Sequence, residues 1–341
     1  MPPPPIAGTI GGVGLGERVF VVVGLVLGAI AACKEDAAES EPPIEAPPRV
    51  TPEAGADVAT PPIDSGGVDA GPCDLGAPFG APELVPISAA EDEQGAWFTS
   101  NGLFFGRTFP GTGGGIFFAK AESDGGLADV RPVQIPNVSD LSFPSLSSDG
   151  LVLYLRASTQ TNGVGVYRAT RNSANDLVFG QPTAVRTEAG IIGDYAPSLG
   201  PDGLYYAQWV ARSGGAKDYD LRRAKLGTNG EVLADTALAT LNTTFNDAAA
   251  QVTGDGLRVY FATDRLGVDA KGGFDVWTAT RTAIERDFAD AKLVPELSGR
   301  TFDIPVWVAP DGCTLLVESD RDRAVDVQHG TDLYVARKPK R

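Results

Sequence analysis

The chain has 341 residues, 28 basic against 44 acidic, for a net charge of −16. That balance excludes a general nucleic-acid binder, because phosphate neutralisation needs clustered Lys and Arg. One histidine (His329) rules out a multi-histidine metal site and three cysteines rule out a four-cysteine zinc site, so no metal and no cofactor are expected.

The chain opens with an uncharged, Pro-rich stretch that runs to Gly16, followed by Glu17 and Arg18. Val19 to Ala32 is then an unbroken run of apolar and small residues. At 1.5 Å per residue it spans roughly 21 Å, short of the ~30 Å hydrocarbon core, which suits a signal-peptide h-region better than a membrane span. It ends in Ile30-Ala31-Ala32-Cys33. This resembles the bacterial lipobox, and the resemblance implies that residues 1–33 are a lipoprotein signal and that Cys33 becomes a lipidated N-terminus. An ordinary signal peptide or a short membrane anchor is the alternative.

Residues 34–72 carry eight prolines, no aromatic residue, and nine acids against Lys34 and Arg49. Low hydrophobicity, proline and self-repulsion predict a disordered, extended tether. Such a tether holds whatever follows away from a bilayer surface.

Residues 73–341 are a repeat. A turn element recurs at Asn101-Gly102, Asp149-Gly150, Asp202-Gly203, Asp255-Gly256 and Asp311-Gly312, with the glycines 48, 53, 53 and 56 apart. An apolar run follows each one: LFF, LVLYL, LYYAQWV, LRVYFAT and CTLLVES. A second element places an alanine at the same position of each unit: Ala119, Ala169, Ala224, Ala279 and Ala336. A third places an acid eight or nine residues before the turn: Asp92, Asp140, Asp194, Asp247 and Asp303. Three registers agree over five units.

Each unit reads as four short strands. The Asp-Gly turns predict a three-residue hairpin with left-handed glycine. The fourth strand is marked by Phe179 to Val185, with weaker relatives at Val130 to Ile135, Val232 to Leu241 and Phe288 to Leu297. Five such units make a five-bladed β-propeller. Phe79-Gly-Ala-Pro82-Glu-Leu-Val85 matches Phe179-Gly-Gln-Pro182-Thr-Ala-Val185, yet precedes the first turn, and no fourth strand follows Lys338. The N-terminal strand is therefore expected to complete the last blade, since an open ring would leave unpaired edges.

The pattern Asp, Asp-Gly, apolar run, Arg, Gly-rich loop, Asp-aliphatic-aromatic is similar to the WD40-like propeller repeat of the TolB type. It is clearest at Asp247, Asp255-Gly256, Asp264-Arg265 and Asp275-Val276-Trp277, and at Asp303, Asp311-Gly312, Asp320-Arg321 and Asp332-Leu333-Tyr334. The first two units lack the Arg and the second Asp. The resemblance implies a propeller of the bacterial envelope that binds partners.

Ring closure brings Cys73, just before the closing strand, near Cys313, at the start of a last-blade strand. A disulfide between them would seal the ring, as an oxidising compartment permits. The alternative is two buried thiols.

The repeat acids Asp92, Asp140, Asp194, Asp247 and Asp303 are expected to ring one mouth of the channel. They could form a cation site or a catalytic carboxylate pair. They could equally accept backbone N–H groups and fix their turns, and repetition in every unit favours this structural role. Asp264-Arg265 and Asp320-Arg321, with Arg212, read as blade-edge ion pairs and hydrogen bonds to loops. His329 lies in a polar loop, and no Gly-x-Ser-x-Gly motif accompanies it. Gly111 to Gly115 lacks the lysine and helix of a phosphate loop. Trp97, Trp209, Trp277 and Trp307 read as packing between blades.

No catalytic residue is assigned. The expected function is a lipid-anchored, monomeric, non-catalytic binding or scaffold module for an envelope protein, peptide or glycan, with no nucleic-acid partner. Its binding surface would use loops around Thr161, Ala216, Lys271 and Val325. The membrane location expected is the outer one. The alternative function is a glycan-active hydrolase or lyase using mouth carboxylates.

Overall fold

The computed structural model describes residues 72–87, 91–109, 111, 113–187, 190–191, 195–212, 217–267, 270–300, 302–322 and 330–341. Cys33, residues 34–71 of the tether, Asp194, Ala216, Val325 and His329 lie outside them. Among the described residues the regular structure is entirely β: five four-stranded antiparallel sheets and one short two-stranded pair, Arg186–Thr187 with Gly190–Ile191.

Local chemistry sets each hairpin. Gly150, Gly256 and Gly312 are left-handed, with φ of 69°, 73° and 76°. The aspartate before each accepts the backbone N–H two residues on, at 2.9–3.0 Å. The turns at Gly102 and Gly203 depart from the three-residue expectation. There the hairpins close over two residues, with Thr99 opposite Gly102 and Gly200 opposite Gly203. A Cβ at Gly102 or Gly203 would lie 2.1 or 2.4 Å from the carbonyl oxygen of Ala119 or Ala224, so the close approach of strands requires glycine.

The five repeated alanines have one structural cause. Each lies on the third strand directly opposite an aliphatic residue of the second: Leu103, Leu153, Leu204, Val259 and Leu315. All ten are buried. The small side chain leaves room for the neighbouring blade, which packs face to face on this pair. The blade 1–2 contact, for example, gathers Phe104, Phe118, Leu153, Tyr167 and Phe179.

The first strands of the five units touch one another in sequence, and that of the fifth touches that of the first. They are Asp92–Thr99, Ser139–Leu146, Tyr195–Gly200, Asp247–Val252 and Asp303–Val308. These form the inner wall of the ring, and each sheet runs outward from there. The described part of the chain is a five-bladed β-propeller.

Closure follows the sequence expectation. Glu83–Leu84 pairs with Asp332–Arg337, Glu83 opposite Val335 and Leu84 opposite Tyr334. Gly80 and Val85 extend the contact through N–H bonds to Arg337 and Leu333. Phe79 packs edge-on against Tyr260 while the Lys338 ammonium lies 4.3 Å from its ring centre. Cys73 and Cys313 form a disulfide with Cα atoms 5.8 Å apart.

A bulge recurs in the inner wall. Gly95, Phe143, Ala196 and Ala249 all have positive φ, between 45° and 64°, and each interrupts the register of its inner strand. Bulges bend a strand and re-aim its side chains. Here they aim groups of the inner strands toward the channel.

Candidate functional site at the channel mouth

The mouth is built where inner strands begin and second strands end. Asp247 and Asp303, each the first residue of an inner strand, are buried there. Asp247 receives Arg265 at 2.7 Å on one oxygen, and the Thr243 N–H and hydroxyl at 2.6 and 2.9 Å on the other. Asp303 receives Arg321 at 2.6 Å, the Ser319 hydroxyl at 2.7 Å and the Gly299 N–H. Each arginine also donates to the carbonyl of the segment arriving from the previous blade, Leu241 or Leu297. The two acids are thus the anchors of an inter-blade clamp. Breaking a buried, hydrogen-bonded pair of this kind from one side typically costs about 3–5 kcal/mol.

The expected ion pairs and loop hydrogen bonds of Arg212, Arg265 and Arg321 are present, but Arg265 and Arg321 pair with Asp247 and Asp303 rather than with the aspartates beside them. Asp264 instead accepts from the Asn246 backbone and side chain, and Asp320 from the Phe302 N–H. The first unit also has its arginine. Arg107 comes from within the second strand, lies opposite Glu93 in register, bonds it at 2.9 Å and donates to Ile87 O. Because the arginine sits earlier in this blade, the acid it meets is Glu93 rather than Asp92.

The predicted ring of equivalent acids is therefore not what the described residues form. Asp92 opens its strand half-buried, Asp140 is exposed with φ of 53°, and Asp247 and Asp303 are locked. Lys271, expected in a binding loop, donates to the carbonyls of Pro295 and Ser298. Thr161 lines a separate, polar cavity of about 520 Å³ on blade 2. Gly113 to Gly115 are not a loop but the start of the third strand of blade 1. Trp307 is buried and Trp97 and Trp277 are partly buried, but Trp209 is 49% exposed.

At the mouth lies a cavity of about 480 Å³, in the size range of small-ligand sites. One part of its wall is aromatic: Phe143, Tyr195, Tyr219 and Phe302. The rest is polar and includes Gln94, Arg156, Glu318 and Thr331.

Glu318 is the buried acid of this wall. It accepts the Gly95 N–H at 3.0 Å and contacts the Thr331 hydroxyl at 3.2 Å. Burial pushes its pKa up to about 8, against the pull of those two bonds, with Asp92 and Glu93 adding smaller repulsion. Thr331 has one hydroxyl hydrogen and a second acceptor, Glu93 O, at 2.9 Å. A protonated Glu318 removes this competition, because it can donate to Thr331 Oγ1 while Thr331 donates to Glu93 O. Glu93 is pushed up to about 7 by burial, which outweighs Arg107. Desolvation also raises Tyr195 well above the phenol range, with Glu318 and Tyr219 contributing.

The aromatic wall continues outward. Phe143 meets Tyr195 at 4.7 Å between ring centres, Tyr195 meets Tyr219 at 5.3 Å, and Tyr219 stacks on Trp209 at 5.5 Å and 22°. Trp209 and Tyr219 are directly opposed across their strands. The Asn246 side chain accepts the Tyr219 N–H at 3.1 Å and fixes this end of the run.

Sequence reasoning missed Glu93, Glu318 and this aromatic run. Glu318 did leave a signal, as the one charged residue in the apolar run Thr314–Ser319. The aromatic run left none, because its members come from four strands in two blades and meet only after folding.

No protein-family model matches the chain, and no curated protein matches it. An α-L-arabinofuranosidase from Lactobacillus brevis is similar in structure with TM-score 0.51 and 14% identity over 75% of this chain and 92% of that one. A protein of unknown function from Dyadobacter fermentans has TM-score 0.50 and 9% identity, over 79% of this chain and all of its own. TolB from Acinetobacter baumannii has TM-score 0.45 and 14% identity over 74% of this chain, which spans 56% of TolB's length. At such identities what is shared is the fold.

Proposed function

We propose that this chain is a lipid-anchored propeller of the bacterial envelope that binds a ligand at its channel mouth without turning it over. One observation carries the reading: four acids of the mouth already have partners. Asp247, Asp303 and Glu93 are held by arginines, and Glu318 by Gly95 and Thr331. A hydrolase needs carboxylates free to exchange protons with substrate. The leader ending at Cys33, the acidic tether and the Cys73–Cys313 disulfide support an exported, anchored protein.

A second reading has one observation in its favour. A carboxyl held at about 8 beside a cavity has the character of a general acid. The deciding experiment incubates the chain with arabinan, xylan, cellulose and peptidoglycan and measures new reducing ends. No release is expected. Release that is lost in Glu318→Gln, with that variant still folded, would replace the binding reading by the hydrolase one.

A further inference from the structure

The binding reading leaves the ligand's chemistry open, and the wall of the mouth narrows it. The cavity joins aromatic faces to residues that both donate and accept hydrogen bonds: Gln94, Ser142 and Thr331. Its lining carboxyls are Glu318, which burial pushes up to about 8, and Asp320, which accepts the Phe302 N–H; Arg156 sets an opposite charge in the same lining. The mouth therefore offers a cationic peptide little attraction, although the whole chain is strongly acidic. Hydroxyl groups around an apolar ring face are what aromatic platforms with dual donor–acceptor neighbours match.

The aromatic run adds direction. It begins at Phe143, inside the ring on a bulge with φ of 50°, and ends at Trp209, 49% exposed on blade 3. A Cβ at Gly95 would lie 2.5 Å from Phe143 Cα, so the backbone at the inner end is fixed by close packing. An elongated ligand with a repeating apolar face can follow this path from cavity to surface.

Resting on that binding reading, we propose that the mouth takes a neutral oligosaccharide, with its inner end against Phe143 and Tyr195 and a later ring on Trp209. Fold likeness plays no part in this; the placement of Phe143, Tyr195, Tyr219 and Trp209 does.

The test titrates the full chain with cellopentaose, xylopentaose, arabinopentaose and chitopentaose, alongside the matching disaccharides and an Arg/Lys pentapeptide. Heat of binding and tryptophan fluorescence are read together. At least one neutral pentasaccharide is expected to bind and to perturb the fluorescence. Trp209→Ala should weaken it about tenfold, while Trp209→Phe keeps most of the affinity and disaccharide binding changes little. Trp209 is half-exposed, and a thermal melt of each variant checks that it folds. Failure of every saccharide to bind, or equal pentasaccharide affinity in wild type and Trp209→Ala, overturns the proposal. Binding of the pentapeptide alone overturns it too, yet leaves the non-catalytic binding reading standing. Cleavage of a bound saccharide does the reverse.

Discussion

Replacing Glu318 by glutamine should make the propeller more stable at pH 8, and the size of the gain can be worked out. Glu318 has a folded pKa of about 8 against an ordinary value of 4.5. Below 4.5 both folded and unfolded chains hold the proton, and the stability linked to it is fully present. Between 4.5 and about 8 the unfolded chain has released the proton while the folded chain keeps it. Stability then falls as pH rises, by about 1.4 kcal/mol per unit. At pH 7 the accumulated loss is on the order of 3 kcal/mol. Glutamine has the shape of the protonated acid, can accept the Gly95 N–H and can donate to Thr331 Oγ1, but it does not ionise. At pH 5 the variant should therefore match wild type closely. At pH 8 it should be more stable by roughly 4 kcal/mol, which for a domain of this size raises the melting temperature by about 8–16 °C. The assay is urea unfolding followed by tryptophan fluorescence, repeated from pH 5 to 8 with constant ionic strength. Glu93 remains in the variant with its own raised pKa of about 7, so the slope should shrink rather than vanish. A wild type whose stability does not decline from pH 5 to 8, or a variant with the same slope, would refute the account of Glu318 as a desolvated acid.

Two further outcomes are expected. Cys33→Ser should abolish incorporation of labelled palmitate when the chain is expressed in a bacterium with lipoprotein processing, and it should release the protein from the membrane fraction; retained label would remove the lipid anchor from the proposal. The double change Cys73→Ser with Cys313→Ser opens a loop of 240 residues and should lower stability by about 2–5 kcal/mol, near the upper end if loop entropy dominates. Melts of wild type with and without reductant should reproduce that difference, and no difference would show that the strand pairing alone holds the ring shut.

Repetition made the fold legible. A turn, an alanine and an acid in common register were enough to count the blades, because every blade meets the same geometric demands: a hairpin end, a small residue opposite Leu103, Leu153, Leu204, Val259 or Leu315, and a clamp at the mouth. The displaced strand at Phe79 to Val85 and the pair Cys73 and Cys313 followed from the same count. The candidate site was far less legible, because a ligand site is made where a repeat stops being regular. Glu93 does the work that position suggested for Asp92. Arg107 reaches its acid from a different place in the strand than Arg265 or Arg321 does.

Local residue order thus determined the strands, the turns and the closing partner, since these depend on spacing along the chain and on which backbone angles each residue allows. Only the closed ring decided the chemistry of the mouth. It brought Glu318 of the last blade against Gly95 of the first, and it took water away from that carboxyl. It also lined up Phe143, Tyr195, Tyr219 and Trp209 from separate strands. Desolvation and through-space contact are properties of three-dimensional proximity, and a linear order of residues does not contain them.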